Sequence, residues 1–260
     1  MTTLVLLAHP DDEVGALPYL LRARDRGEAL IFALAAPPRP PDLRARRIAE
    51  TRRCLDHFRL GETLILADPR TGPFDGDLQQ EGGRLLPALA AQMEGVDVVL
   101  APAWEGGHPD HDLCAALALR LAEDQALRTG KGCRALQFSL YTGAGLAGPF
   151  FHGAWPLVAP EQRETIPLTA RRRRAVAAAP RFYPSQVGVW AVLGPAMALG
   201  YARHGYQVAV LDRTTLLRRP HAGRLLYERR GAIAYATVAA TVLSLLEPEG
   251  RSDRPFRRQL

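Results

Sequence analysis

Two short segments of the chain place histidine and aspartate close together. The first is the run AHPDDE at residues 8–13, and the second is the run HPDH at residues 108–111. Imidazole and carboxylate groups bind zinc and related divalent metals well, and a catalytic zinc takes three protein ligands and one water molecule. Such a metal lowers the pKa of its water to ~7, and a remaining carboxylate can accept the proton. Together the two segments therefore predict a metal site that hydrolyses an amide or an ester.

Each segment by itself also has a purely structural interpretation. Asp11 or Asp12 could cap the helix that follows the first segment, where the helix dipole favours a carboxylate. The second segment could be a turn that carries surface histidines. The occurrence of both segments, each at a predicted strand-to-helix junction, favours the functional interpretation.

The pattern around both segments alternates short apolar strands with helices. The predicted strands span residues 4–8, 29–35, 63–67, 97–101 and 134–141, and the predicted helices span 14–26, 42–60, 79–94 and 113–128. This alternation is typical of a parallel sheet with helices on both faces, so we predict an α/β fold with a Rossmann-like, mostly parallel sheet. Ligands bind such sheets at the carboxyl ends of the strands. Both segments therefore fall in one crevice if the first and fourth strands are neighbours.

Beyond residue 141 the pattern is less regular. Residues 143–168 are rich in glycine, proline and aromatic residues, which predicts a loop or hairpin over one edge of the sheet. Three further helices are predicted at residues 169–179, 186–201 and 232–246. We expect one domain over residues 1–260, made of a core (1–141), an irregular C-terminal elaboration with the substrate-side loops (142–250) and a polar tail (251–260).

The composition is that of a packed globular protein. Of the 260 residues, 47% are hydrophobic and 23% are charged, which excludes extensive disorder. Three scattered cysteines form no disulfide framework, and no apolar stretch reaches the about twenty residues of a membrane span, so we expect a cytoplasmic protein. The net charge of +6 comes from arginine, since Lys131 is the one lysine. Because these arginines follow no nucleic-acid-binding motif, we expect no specific nucleic acid as a partner.

The two segments resemble the paired motifs of the PIG-L/LmbE family of zinc-dependent N-deacetylases. Enzymes of that family remove acetyl or related acyl groups from amino sugars. The resemblance covers residues 1 to about 140 most completely and implies a Rossmann-like sheet, in agreement with the alternation above. It further implies one Zn²⁺ per chain and a small-molecule amino-sugar substrate. A homo-oligomer is left open.

The resemblance implies a role for each motif residue. Three residues resemble the family's zinc ligands: His9, Asp12 and His111. Asp11 resembles the general base that activates water. His108 resembles the histidine that stabilises or protonates the intermediate, and Asp110 resembles the carboxylate that holds the tautomer of that histidine. Glu13 is assigned only to the N-terminus of the following helix.

Weaker similarities extend the predicted site toward the substrate. Arg47 and Glu50 resemble an Arg-x-x-Glu element that approaches the sugar, although a solvated helix face explains them almost as well. Ser185 and Gln186 resemble a segment that closes the site. Some relatives carry a tyrosine or arginine before the second motif where this chain has glycine at 106 and 107, which predicts an open, flexible rim.

Other features leave alternatives open. The aromatic residues Phe150, Phe151, Trp155 and Trp190 could form an apolar wall for a sugar or an aglycone, or belong to the core. We interpret the run of four arginines at residues 171–174 as a solvated helix face rather than a phosphate site. A metal-dependent amidase that cleaves a thiol conjugate or a fatty acyl amide is an alternative, as is a non-catalytic basic protein that binds sugar or nucleic acid. A dehydrogenase is disfavoured, because HPDD stands where GxGxxG would cradle a pyrophosphate.

Overall fold

Strands and helices alternate along the first half of the chain, as predicted. The computed structural model describes residues 1–61, 63–65 and 70–247. Its elements up to residue 138 are β1 (Thr2–Leu7), α1 (Glu13–Asp25), β2 (Ala29–Leu34), α2 (Pro41–Phe58), β3 (Thr63–Ile65), α3 (Leu78–Glu81), α4 (Leu86–Ala90), β4 (Val98–Pro102), α5 (Pro109–Thr129) and β5 (Arg134–Phe138). The later elements are β6 (Tyr141–Thr142), β7 (His152–Gly153), β8 (Arg163–Ile166), α6 (Ala170–Ala178), α7 (Val187–His204), β9 (Tyr206–Val210), α8 (Arg213–Leu216), α9 (Leu226–Arg229) and α10 (Tyr235–Leu246).

Seven strands form one sheet in the order β3-β2-β1-β4-β5-β9-β8. β1 pairs in parallel with β2 on one side and with β4 on the other, so Val5 lies opposite both Phe32 and Leu100. The chain reverses the direction in which it adds strands at this point, and the crevice above such a switch point is where doubly wound sheets bind ligands. The predicted α/β class with a mostly parallel, Rossmann-like sheet is confirmed.

The central strand is buried on both faces. Leu4 and Leu6 belong to the core that α5 and α10 cover, whereas Val5 and Leu7 belong to the core that α1 and α2 cover. None of these four side chains has exposed surface. Burial on both faces explains why the strand is a continuous apolar run. It also means that the turn after β1 starts from a rigid position.

The helix predicted over residues 79–94 is interrupted. α3 ends at Glu81, a 3₁₀ turn follows over Gly82–Leu85, and α4 begins at Leu86. Two consecutive glycines lower the helix propensity at the break, and Pro87 lacks the backbone N–H that a continuous helix requires.

Two predicted boundaries shift at the site. α5 begins at Pro109 rather than at Leu113, because proline suits the first position of a helix. β5 ends at Phe138 rather than at Tyr141, and Tyr141 pairs instead with Gly153 in the small antiparallel ribbon β6–β7. The second motif segment is consequently the first turn of a helix and not a free loop.

The structure contains a strand, β9, that was not predicted from the sequence. It lies between β5 and β8 and runs antiparallel to both, so residues beyond 141 extend the same sheet. Residues 206–210 follow Gly205 and are rich in aromatic and β-branched side chains, which is a strand signal. The β6–β7 ribbon agrees with the expected loop or hairpin, whereas β8 joins the main sheet as its edge strand beside β9. The division of the domain into a core and an elaboration stays a prediction.

The helices predicted after residue 168 are present as α6, α7 and α10, with ends that differ by a few residues. Across residues 1–61, 63–65 and 70–247, no helix combines the length and the apolar character needed to cross a membrane. The end of the third predicted strand, residues 66 and 67, and the polar tail at 251–260 lie outside the described residues.

Candidate active site

The first motif segment forms a tight turn between β1 and α1. Asp11 has a φ angle of 105°, in the left-handed region that residues other than glycine rarely adopt. The backbone N–H of Asp11 donates to Glu13 Oε2 at 3.1 Å, and the backbone N–H of His9 donates to Asp12 Oδ2 at 2.8 Å. Glu13 is fully buried, so it supports this turn in addition to beginning α1. Backbone strain of this kind concentrates at functional sites.

Side chains from distant parts of the sequence orient the carboxylate of Asp11. Arg47 on α2 donates to Asp11 Oδ1 at 3.0 Å and to the carbonyl oxygen of Pro10 at 2.7 Å. Trp190 on α7 donates from Nε1 to Asp11 Oδ2 at 3.2 Å. Because the Arg47 guanidinium has only donors, the amide oxygen of Gln186 faces it and accepts at 2.7 Å, in preference to a 3.5 Å contact from its nitrogen to Asp11. Both oxygens of Asp11 are thereby fixed.

The second motif segment forms the N-terminus of α5. His108 is the N-cap residue, and its Nδ1 accepts from the backbone N–H of Asp110 at 3.2 Å. Asp112 accepts at Oδ1 from the backbone N–H groups of Glu105 and Gly106, at 3.0 and 3.1 Å. Because Nδ1 of His108 is an acceptor, the proton of the neutral ring lies on Nε2.

The two turns bring the three expected metal ligands together. Nε2 of His111 lies 3.2 Å from Nδ1 of His9 and 3.2 Å from Oδ1 of Asp12, and Oδ2 of Asp12 lies 3.9 Å from Nδ1 of His9. Donor atoms bound at about 2.0–2.2 Å in a tetrahedron lie about 3.3–3.6 Å apart, so the two spacings of 3.2 Å are close to those around one zinc-sized ion and the spacing of 3.9 Å is wider. All three side chains are buried.

Two overlapping sets of donors have their ligand atoms within 4.8 Å of one another. One set is His9, His108 and His111, and the other is His9, Asp75, His108 and Asp110. His9 belongs to both sets, and its Nδ1 and Nε2 atoms face different partners. Imidazole and carboxylate donors suit zinc and similar divalent ions. The residues present therefore fit a metal ion.

The carboxylate of Asp110 contacts His9 and not His108. Its Oδ2 lies 3.1 Å from Nε2 of His9 and accepts from the backbone N–H of Gly76 at 2.7 Å. We expected this carboxylate to hold the tautomer of His108, but it does not contact that ring. The tautomer is fixed instead by the backbone N–H of Asp110, which donates to Nδ1 of His108. The carboxylate orients the ring of His9 instead, as is common for a histidine that binds a metal.

Asp75 is a site residue that is absent from those predicted from the sequence. Its Oδ1 lies 3.2 Å from Nε2 of His9 and 3.7 Å from Nε2 of His108. Asp75 stands between Phe74 and Gly76 in what the sequence presents as an ordinary polar turn. No motif or periodicity marks it, so only the folded chain brings it to the histidines.

Burial and neighbouring charges give the site residues different pKa values. Burial raises the pKa of Asp11 to about 6, although the charge of Arg47 opposes the shift. Burial also acts to raise the pKa of Asp12, but the charges and hydrogen bonds of His111 and His9 together outweigh it and lower that pKa to about 2. Burial lowers the pKa of His108 to about 3, so its ring is neutral. The two neighbouring aspartates are thus suited to different tasks.

These residues form the floor of a cavity of about 460 Å³. Of the four residues expected to contact a substrate, Arg47 and Gln186 line the cavity. Glu50 and Ser185 do not: Glu50 is fully buried and accepts hydrogen bonds from the backbone N–H of Ser185, at 3.1 Å, and from its hydroxyl. This pair joins α2 to the start of α7 and so places Gln186 beside the cavity.

The walls of the cavity are largely apolar and aromatic. The wall residues include Leu140, Tyr141, Phe151, Val189, Trp190, Val192 and Leu193. Among the aromatic residues singled out in the sequence, Phe151 and Trp190 line the cavity. Phe150 is exposed, and Trp155 stacks on His152 with ring centroids 4.2 Å apart, so neither belongs to the wall. Arg230, from the segment after α9, also reaches the cavity.

The glycines at 106 and 107 do not leave the open rim expected from the sequence. A Cβ atom on Gly107 would lie 2.1 Å from the carbonyl oxygen of Tyr141, and one on Gly106 would lie 2.8 Å from Leu225. Gly106 also has a φ angle of 71°. The space beside the second motif is therefore filled by other segments, and glycine is needed there for close packing.

The sheet topology and the gathered side chains define an α/β protein with a candidate metal site at the switch point. The family model for PIG-L, GlcNAc-PI de-N-acetylase, matches residues 4–122, which contain both motif segments. This match confirms the similarity to the PIG-L family that the two segments predict, over residues 4–122.

Solved structures share this fold at low sequence identity. The conserved protein TT1542 from Thermus thermophilus is 22% identical, with a TM-score of 0.58 and coverage of 81% of this chain and 94% of that chain. N,N'-diacetylchitobiose deacetylase from Pyrococcus horikoshii is 18% identical, with a TM-score of 0.56 and coverage of 82% and 85%. The zinc-inhibited form of teicoplanin deacetylase Orf2 is 16% identical, with a TM-score of 0.53 and coverage of 82% and 100%. A search of curated protein sequences finds no match.

Proposed function

We propose that this protein is a zinc-dependent hydrolase that removes an N-acetyl or related N-acyl group from an amino sugar or an amino-sugar conjugate. The observation that carries the proposal is the convergence of the two motif turns, which places Asp12 and His9 each 3.2 Å from Nε2 of His111 while Asp11 points elsewhere. The match of residues 4–122 to the PIG-L family model and the deacetylase names of two structures with this fold support the same reaction.

His9, Asp12 and His111 would hold the metal ion. Zinc, when bound, would supply Lewis-acid chemistry and lower the pKa of a water molecule to about 7. The carboxylate of Asp110 would keep Nδ1 of His9 directed at the ion through its contact with Nε2. The low pKa of Asp12 keeps this ligand ionised across the neutral range.

Asp11 would act as the general base. It accepts hydrogen bonds from Arg47 and Trp190, which fix its direction without neutralising its capacity to take a proton. Burial raises its pKa to about 6, and a base with a pKa near the working pH transfers protons efficiently. The proton that Asp11 takes from water is then available for the departing amine nitrogen.

His108 would stabilise the negative charge that develops on the acyl oxygen. The neutral ring carries its proton on Nε2 because Nδ1 accepts from a backbone N–H, so Nε2 is a hydrogen-bond donor. A donor positioned in advance and partly shielded from water contributes strongly to such stabilisation.

The cavity above these groups suits a sugar that carries a further group. Arg47 and Gln186 supply polar contacts near the floor, and Phe151, Trp190 and Val192 supply apolar surface toward the mouth. Aromatic faces stack on sugar rings and on flat apolar groups. We therefore expect an extended N-acetyl glycoside to be a better substrate than free N-acetylglucosamine, measured as kcat/KM.

The test is a panel of N-acetyl sugars and conjugates, scored by acetate release with and without a chelator. Chelator-sensitive release, fastest from a conjugate, is the expected result. Equal rates on the free monosaccharide and on every conjugate would remove the conjugate preference and leave the deacetylase proposal standing. Absence of acetate from every compound, despite bound metal, would favour an amidase that cleaves a non-acetyl amide.

The metal assignment is tested separately by metal analysis of the purified protein. About one equivalent of metal per chain is expected in the wild type. His9→Ala and His111→Ala should lose most of it, whereas His221→Ala, which changes a histidine that does not line the cavity, should retain it. Unchanged metal content in His9→Ala and His111→Ala would show that the ligand set is wrong.

A further inference from the structure

The outward face of α7 is apolar along most of its length. Val187, Val192 and Leu199 are 71%, 60% and 63% exposed. Further exposed residues on the helix are Gly188, Ala191, Pro195, Ala198 and Ala202. Their spacing of three and four residues places them along one side of the helix. The helix has no charged residue before Arg203, so its solvent-exposed side is apolar.

A groove of about 540 Å³ lies between this face and α6. Its lining is mostly apolar and includes Val176, Ala177, Pro195 and Ala198. Trp190 lines both this groove and the active-site cavity, so the two hollows lie on either side of α7. The exposed face of α7 therefore continues from the groove to the mouth of the active-site cavity.

The charged side chains of α6, α7 and their flanking residues are all positive. From residue 165 to residue 211 the chain contains six arginines and no carboxylate. Arg171, Arg173 and Arg174 on α6 are exposed, and Arg173 lines the groove beside the apolar residues. Arg172 reaches outside the region to Asp25, at 3.4 Å. An apolar helix face flanked by cations is the pattern of helices that lie in the interface of a bilayer with anionic lipids.

We propose that α6 and α7 form a docking surface for a membrane that contains anionic lipids. The apolar face of α7 lies at the boundary between headgroups and acyl chains, and the arginines of α6 contact lipid phosphates. The helix lies parallel to the membrane plane and does not cross it. This proposal is independent of the reaction proposed above.

Charge decides between a membrane and other occupants of the surface. A second copy of this chain that docked by the same face would bring two groups of arginines together, and residues 165–211 contain no carboxylate to pair them. A nucleic acid would pair with the arginines but would leave the exposed face of α7 in contact with water. An anionic bilayer satisfies both parts of the surface at once.

Docking in this orientation would place the mouth of the active-site cavity against the membrane. Val189 and Val192 belong to α7 and also line that cavity. Phe150 is exposed directly beside Phe151, another residue of the cavity wall. Apolar side chains are thus exposed both on α7 and next to the wall residue Phe151.

The experiment is co-sedimentation of the full-length protein with vesicles of phosphatidylcholine alone and with vesicles that contain about 30% phosphatidylglycerol. We expect at least about tenfold stronger partitioning onto the anionic vesicles at low salt, and a decrease as salt rises toward about 0.5 M. Equal partitioning onto both kinds of vesicle, or no binding to either, would overturn the proposal.

Paired variants locate the surface. Arg173→Glu/Arg174→Glu should reduce vesicle binding about tenfold or more, whereas Arg128→Glu/Arg218→Glu makes the same change of charge elsewhere and should reduce it much less. Equal losses in the two double variants would show that only the overall charge of the chain matters.

The apolar part of the surface needs uncharged substitutions. Val187→Asn/Leu199→Asn should weaken vesicle binding severalfold, and Leu127→Asn/Leu243→Asn, at exposed leucines of α5 and α10, should not. If Val187→Asn/Leu199→Asn instead leaves vesicle binding unchanged and dissolves an oligomer seen by light scattering, a second copy covers the face and the membrane proposal is wrong.

Discussion

The two turns that form the candidate site are stabilised in opposite ways. The second turn depends on residues within itself: His108 caps α5, Pro109 takes the first helical position, and Asp112 accepts from backbone N–H groups of the preceding loop. The first turn is strained at Asp11, and it depends on partners that lie 36 and 179 residues away in the sequence, on α2 and α7.

This difference corresponds to a difference in task. The second turn presents histidine rings from a relaxed helix start, which its own residues cap. The first turn must direct two consecutive carboxylates apart, with Asp12 facing His111 and Asp11 facing Arg47 and Trp190. The left-handed backbone at Asp11 makes that divergence possible, and tertiary contacts maintain it.

The largest effect on turnover is expected from Asp11→Asn. Asparagine tolerates left-handed backbone well and keeps an acceptor toward Arg47, so the turn should persist while the proposed base is lost. We expect kcat to fall by about 10²–10⁴-fold with the metal content unchanged. Steady-state kinetics with metal analysis measure both, and Asp56→Asn, at an exposed position on α2, is the control. Nearly full activity in metal-loaded Asp11→Asn would mean that the strained turn serves the fold and not the reaction.

Trp190→Phe tests the support that the first turn receives from α7. Phenylalanine keeps an aromatic ring against the cavity but loses the Nε1–H that donates to Asp11. A hydrogen bond to a charged group is worth about 1.5–3 kcal/mol, so we expect kcat to fall at least about tenfold without loss of metal. Trp155→Phe, which alters a ring stacked on His152, should stay near the wild-type rate. Equal rates for both variants would show that Trp190 contributes packing alone.

Local sequence accounts for the sheet and for the second turn. The alternation of strands and helices predicts the parallel core, because few topologies are compatible with it. The adjacency of β1 and β4, which the shared crevice requires, is seen only in the structure. Pro109, following a histidine that can cap, is a helix-start signal within four residues of sequence. β9 escapes the prediction because a five-residue strand directly after a long helix offers little periodicity to separate the two.

The partners of the first turn could not be predicted in the same way. Asp75 and Trp190 reach the site only because separate segments pack above the same strand ends. The contact of the Asp110 carboxylate with His9 depends on a side-chain rotamer, which the motif does not specify. Motif similarity therefore predicts which residues gather at the site better than it predicts which of them touch.

Gly107→Ala tests the second turn, with a smaller expected effect on turnover. The added methyl group would meet the backbone carbonyl of Tyr141 at 2.1 Å, and neither backbone can move without disturbing β6 or α5. We expect a loss of about 1–3 kcal/mol in the free energy of unfolding and a severalfold lower kcat. Gly132→Ala, where an added Cβ meets no atom within 4 Å, should change neither. Unaltered stability in Gly107→Ala would show that the loop is freer than its packing indicates.

The smallest effect on turnover is expected from Glu105→Gln, which should change the pH dependence of stability instead. Glu105 accepts at Oε1 from the backbone N–H groups of Leu140 and Tyr141, at 2.7 and 2.8 Å, and so joins the second turn to the β6–β7 ribbon. Burial raises its pKa to about 8, so the folded protein keeps the side chain protonated at neutral pH.

The sign of the effect follows from that shift. The stability contributed by a carboxyl group with a raised pKa is complete below its ordinary pKa of 4.5 and is lost as the pH rises through about 8. Glutamine keeps the acceptor oxygen and cannot ionise. The melting temperature of Glu105→Gln should therefore fall less than that of the wild type between about pH 5 and about pH 8.5.

Some decrease should remain in Glu105→Gln, because burial also raises the pKa of Asp112, to about 7. Glu94→Gln, which changes an exposed glutamate, should follow the wild-type profile. Parallel profiles for Glu105→Gln and the wild type would mean that Glu105 is ionised in the folded state. The second turn would then depend on a buried charge, and its contrast with the strained, charge-paired first turn would be smaller than the structure indicates.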